Sequence, residues 1–299
     1  MSTPADSCSA VARLTGEPMS GTAPRARAWL VIEHPGPWGK DAIADSRFPE
    51  DVRSVLSSAL EEHGVRSILA RSDDRRHRDD STLRHIWIAA PDPSGGSGTF
   101  GVLDDIRDIL ELDFPAIGRG ILPRLEQTMT SSQEFVCTHG KRDVCCATEG
   151  RAHLQSRKAL GAEPWECSHL GGHRYAATSL FLPSGRVYGR LDRDARYGRQ
   201  GEPAAAYLRG ASYLSPPEQV ADAAIRTRLE LPWDVATRVS PRVEPTDDSE
   251  NTVVVIVQTP ANGSFEVICT SHTVTSAASC GAEPKPRTVW TARQVSTIA

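Results

Sequence analysis

Eight cysteines and histidines, Cys137, His139, Cys145, Cys146, His153, Cys167, His169 and His173, fall within residues 137–173. The whole chain holds 7 Cys and 9 His in 299 residues. Even scattering would put about two in that window, so the excess is roughly fourfold, and soft thiolate with imidazole is a donor mixture that binds zinc, copper or iron. Two strings carry the spacing: CTHGKRDVCC over residues 137–146 and WECSHLGGHRY over residues 165–175. Two separated ligand pairs are the usual framework of a zinc site or an iron–sulfur cluster. The nine-residue step from Cys137 to Cys146 is too wide for a zinc knuckle. His169 and His173 are spaced to share a helix face, but Gly171-Gly172 between them argues for a loop. Such a loop lets backbone N–H groups approach bridging sulfides. On residue chemistry alone Cys145, Cys167 and His139 remain further candidate ligands. Arg142 and Asp143 read as a local ion pair, and Arg174 as a solvated cation.

The elements that must hold these strings read as α/β. Strands are expected at 28–33, 65–70, 83–88 and 100–103, with helices over 48–63 and about 104–112. A second run has a strand at 133–136, a loop to Cys146 and a helix to about Leu160. An extended Pro164–Cys167 and a hairpin over 179–189 follow. Residues 203–208 and 218–229 read as helical, and 252–258 with 264–270 as a hairpin across Asn262-Gly263. Residues 73–80, mixed in sign, read as an exposed loop. Gly96-x-Gly98-x-x-Gly101 matches a dinucleotide fingerprint by letter, but it leads into an extended segment rather than a helix. No internal repeat is visible.

Composition limits the function classes. The net charge is −4, with 34 Lys+Arg against 38 Asp+Glu, which gives no basic footprint for nucleic acid. No apolar run reaches the roughly 20 residues of a membrane span. Met1 to Ala23 lacks the basic-then-apolar order of a signal peptide, so a reducing cytoplasm is expected. There, clustered cysteines bind metal or do redox work. The odd cysteine count suits no disulfide framework. There is no Cys-x-x-Cys for thiol–disulfide exchange, and no paired carboxylates suggest glycoside hydrolysis.

The two strings, extended to WECSHLGGHRYAATSLFLPSG over 165–185, resemble the sucrase/ferredoxin-like family, a branch of thioredoxin-like [2Fe-2S] ferredoxins. The resemblance runs from Gly21 and the EHPGPWG of residues 33–39 to the SCG of residues 279–281. It implies a [2Fe-2S] cluster held by Cys137 and Cys146 (Cys-x8-Cys) with His169 and His173 (His-x3-His). It also implies a thioredoxin-like ferredoxin domain, preceded by a smaller α/β domain and followed by a helical segment and a C-terminal β-hairpin region. The expected division is a flexible lead over 1–24, an α/β domain over 25–128, the ferredoxin domain over 129–210, a helical segment and linker over 211–250, and a β region over 251–299. The expected function is an electron carrier, not a sucrase, passing single electrons between unidentified partner proteins. Imidazole ligation would couple that electron to a proton. The alternative from another class is a structural Cys2His2 zinc module.

Overall fold

The computed structural model describes residues 6–72, 83–192, 194–198, 201–232, 234–242, 251–277 and 279–298. The expected loop at 73–80 and most of the linker over 241–250 lie outside them. The lead expected to be flexible carries a helix, α1 (Cys8–Leu14), capped by the Ser7 side chain. Seven residues are too few to print a helical period, and this helix is held by tertiary contacts rather than by propensity.

The next elements are β1 (Ala28–Glu33), α2 (Glu50–His63), β2 (Val65–Arg71), β3 (Arg84–Ala90), β4 (Ser97–Leu103), the short α3 (Phe114–Gly118) and β5 (Gln127–Thr128). Pro49 opens α2 and Gly64 closes it in the left-handed conformation, as the sequence signals require. The helix expected over 104–112 is instead a 3-10 turn at Ile106–Glu111, capped by Asp105. It is too short to complete α-helical turns that would outweigh nucleation. Gly98 and Gly101 lie within β4, on the second strand of an antiparallel pair with β3.

Residues 129–211 then supply β6 (Gln133–Cys137), α4 (Val144–Ala159), β7 (Trp165–Cys167), β8 (Ser179–Leu182), β9 (Arg186–Tyr188) and β10 (Leu208–Ala211). The expected helix over 203–208 is a 3-10 turn at Ala205–Tyr207 that feeds β10. α4 begins at Val144, two residues before Cys146, rather than after it.

Both runs repeat one topology. β1 is parallel to β2 and antiparallel to β3, which pairs with β4. β6 is likewise parallel to β7 and antiparallel to β8, which pairs with β9. In both, a helix connects the two parallel strands. The halves meet through antiparallel β2 and β7, at Ala70 opposite Cys167 and Arg71 opposite Glu166. The result is one ten-stranded sheet in the order β10-β9-β8-β6-β7-β2-β1-β3-β4-β5. Residues 25–128 and 129–210 each supply one side of it and share a core, where Trp29, Val31 and Trp87 join Phe135, Cys137 and Leu180. The repeat lies in hydrogen-bond topology, while the side chains differ: Glu33 ends β1 where Cys137 ends β6.

α5 (Pro216–Arg228) enters through Pro216-Pro217 with a Ser215–Glu218 capping box. Its Val220, Ala221 and Ile225 pack on a second sheet through Val255, Val257, Phe265 and Val267. That sheet contains β11 (Arg238–Arg242), β12 (Thr252–Thr259), β13 (Gly263–Ala277) and β14 (Pro284–Ile298), in sequence order. It is larger than the expected hairpin, because 271–298 alternates polar residues with few apolar ones and carries little strand signal of its own. Among the described residues no helix is long and apolar enough to cross a membrane.

Candidate metal centre

β6 delivers Cys137 to the centre of the sheet, beside Cys167 of β7. The chain then turns, and the Asp143 carboxylate accepts the Cys145 N–H at 2.8 Å as the N-cap of α4. This cap places Cys145 and Cys146 in the first helical turn. Successive residues on an α-helix point about 100° apart, so the adjacent thiols face different neighbourhoods. Cys146 faces Cys137, whereas Cys145 faces Cys8 and Cys280.

The second string is anchored by Ser168, whose N–H donates to the Leu69 carbonyl and whose hydroxyl accepts the Leu69 N–H. Gly171 and Gly172 then take φ of 78° and 70°, which only glycine adopts without strain. Fully buried Arg209 grips this loop, donating to the Gly171 carbonyl at 2.9 Å and to Thr22. A Cβ on Gly172 would strike its guanidinium. The loop ends in a 3-10 turn, His173–Tyr175.

Donor atoms of Cys137, Cys146 and His169 all lie within 4.8 Å of one another. The Cys146 Sγ is 3.9 Å from His169 Nδ1. His173 flanks this trio rather than entering it. Its Nδ1 is 3.4 Å from His169 Nε2, the rings stack at 5.1 Å, and its Nε2 is 3.7 Å from the Asp143 carboxylate. The Cys137 thiol is held well below its usual range by the hydrogen bond from Cys146, by His169 and by the His139 N–H, against the cost of burial. Cys146 is pushed well above its range because it supplies that proton. Of the two thiols, Cys137 is thus the one whose thiolate, the form that ligates metal, is favoured. Burial pulls Arg209 down to about 10, and the two thiols act in the opposite direction.

The other sequence candidates have separate roles. His139 bonds the Gly39 carbonyl through Nε2 at 2.6 Å and meets Trp38 edge-on, which shapes the loop; its buried Nδ1 has no hydrogen-bond partner among the described residues. Cys167 is fully buried in the core, and burial raises its thiol. His153 turns away to Glu134 at 3.0 Å. Asp143 is occupied by capping α4 instead of pairing with Arg142, and Arg174 is bound to Glu17 at 2.7 Å rather than solvated. Cys269 lies in the core of the second sheet.

A cleft of about 220 Å³ opens onto His169, lined by Lys40, Asp41, Arg66, His139 and Arg142. A larger cavity of about 700 Å³, near the end of α5, is lined by no cysteine or histidine among the described residues. The chemistry follows the donors, not the larger volume.

With this geometry in place, comparison with known families is decisive: the model described as sucrase/ferredoxin-like matches residues 19–197, more than half of the chain. The chain belongs to the sucrase/ferredoxin-like family. No curated protein and no solved structure matches it. The matched span of this sucrase/ferredoxin-like protein holds both strings, α4 and the Gly171-Gly172 loop; it excludes Cys8, Arg209, Cys280 and the second sheet. Sequence reading missed Arg209, a lone arginine in a short strand with no pattern around it. It also missed Asp143 as a cap, although Asp immediately before a helical run is a readable start signal.

Proposed function

We propose that the protein is an electron carrier whose [2Fe-2S] cluster is held by Cys137, Cys146, His169 and His173. The observation that supports it most is the convergence of two buried thiols with an imidazole from a separate loop. The donor set fits: thiolates and imidazoles together hold such clusters in Rieske-type proteins. When bound, the cluster would accept and release single electrons.

The chain's own residues serve that role in identifiable ways. Burial of Cys137 and Cys146 excludes water from the thiolates, and the buried Arg209 charge offsets the negative charge gathered there. His173 directs Nε2 toward Asp143 at 3.7 Å, leaving Nδ1, which faces His169, as the nitrogen available to metal. His169 is half-buried and faces the cleft in which Lys40, Arg66 and Arg142 outnumber Asp41, so the accessible edge is net cationic. Such an edge favours brief docking of an acidic redox partner.

The compact spacing of the trio also suits a single tetrahedral zinc ion, and metal analysis separates the two readings. Anaerobically purified protein should contain about two iron and two acid-labile sulfide per chain and absorb in the visible. Cys137→Ser or Cys146→Ser should abolish that absorption, while Cys145→Ser and Cys167→Ser should leave it nearly intact. Zinc without sulfide at these residues would establish the structural reading instead.

A further inference from the structure

We propose that Cys8, Cys145, Cys280 and Asp143 form a second metal site, which binds one zinc ion. The three sulfurs form a nearly equilateral triangle, with Sγ separations of 3.5 Å for Cys8–Cys145, 3.3 Å for Cys145–Cys280 and 3.6 Å for Cys280–Cys8. The Asp143 carboxylate approaches the triangle at 3.6 Å from Cys280 and 3.9 Å from Cys8. Zinc–sulfur bonds of about 2.3 Å in a tetrahedron place sulfurs about 3.8 Å apart, so the thiols need separate by only a few tenths of an ångström to admit the ion. A disulfide would require about 2.05 Å and would leave the third thiol unpaired. Three thiolates with one carboxylate suit zinc, whereas copper(I) prefers soft donors alone.

The donors come from three distant parts of the chain: the start of α1, the first turn of α4, and the β13–β14 connection. Cys8, Cys145 and Asp143 are buried, and Cys280 is half-buried, leaving an entry path. The surroundings match a ligand shell. The Ser9 hydroxyl, which donates to Glu149, lies 3.3 Å from the Cys145 sulfur, and the Cys8 N–H points to the Cys280 sulfur at 3.5 Å. Asp143 accepts the Cys145 and Cys280 N–H groups, which aims the carboxylate while leaving lone pairs for metal. The filled site would carry excess negative charge, partly offset by the N-terminus of the 16-residue α4. Cys8 and Cys280 lie outside the matched family region. The site would tie both ends of the chain to the helix that carries Cys146, and Asp143 links it to His173 at 3.7 Å.

The test is metal content in chain expressed with zinc. Wild type should hold one zinc per chain at this site, and Cys280→Ser should lose it while keeping visible absorption and iron. In Cys137→Ser/Cys146→Ser one zinc should persist, and adding Cys280→Ser should remove it, so failure of the cluster assignment is read separately. Wild type without zinc, or zinc content unchanged in Cys280→Ser, overturns the proposal. So does a disulfide among the three thiols, located by peptide mapping of the non-reduced chain.

Discussion

At the scale of single residues, adjacent cysteines face different neighbours because a helix begins beneath them. Cys145 and Cys146 differ by one position and therefore by about 100° of helical rotation. Asp143 sets that rotation by starting α4 at Val144. Titration offers another residue-scale case at His34, which follows β1. It is buried, its Nδ1 accepts the Gly36 N–H at 3.0 Å, and its ring meets Phe48 edge-on. Burial, with help from Arg84 and Arg47, lowers its pKa from 6.5 to about 4. The unfolded chain then binds a proton below about pH 6.5 that the folded chain refuses until about pH 4. Folding stability contributed by neutral His34 is complete above pH 6.5 and falls as pH drops through that window, by up to about 3 kcal/mol. Denaturant unfolding between pH 7 and 4 should show this slope, and His34→Asn, which retains an acceptor but cannot titrate, should flatten it.

At the scale of elements, α4 must lie very close to the end of β6 for Cys146 to meet Cys137. Gly150 permits this, since a Cβ there would run into the Cys137 carbonyl oxygen. Gly150→Ala has a helix-favouring side chain and would gain up to about 1 kcal/mol by propensity alone. The clash should outweigh that gain, since overpacking typically costs about 1–3 kcal/mol. The expected outcome is a lower midpoint in denaturant together with reduced occupancy of the proposed cluster, measured as visible absorbance per chain. A variant as stable as wild type with full absorbance would show that α4 has room to shift.

At the scale of the whole molecule, two β-α-β-β-β halves make one sheet, and α5 joins that sheet to the C-terminal one. Val220, Ala221 and Ile225 of α5 lie against Val255, Val257 and Val267, each buried Val or Ile side chain stabilising by about 1.5–3 kcal/mol. A chain ending at residue 250 should therefore expose an apolar α5 face and lose Cys280. Increased binding of a hydrophobic dye and self-association in size-exclusion chromatography are expected. A monomeric truncated chain that binds no dye would show that the second sheet is independent of the first.

The legible part of this molecule is the part whose signal is local. β1, α2 and α5 are marked by apolar runs, helical spacing and Pro or Gly at their ends, and they lie within a few residues of where those signals place them. Both Cys/His strings stand out by residue type alone, and their letters carry the family. The parts that required tertiary structure depend on long-range contacts. The internal repeat is a repeat of strand pairing, with Glu33 and Cys137 in equivalent places. α1 has too little length to show a period. Arg209 reaches the Gly171-Gly172 loop across 38 positions of sequence, and Cys8 reaches Cys280 across 272. By itself the sequence determined which donor types are present and where the local elements begin. Which thiol faces which partner was decided by the tertiary structure, because a helix start rotates neighbouring side chains apart and only packing brings distant ones within bonding reach.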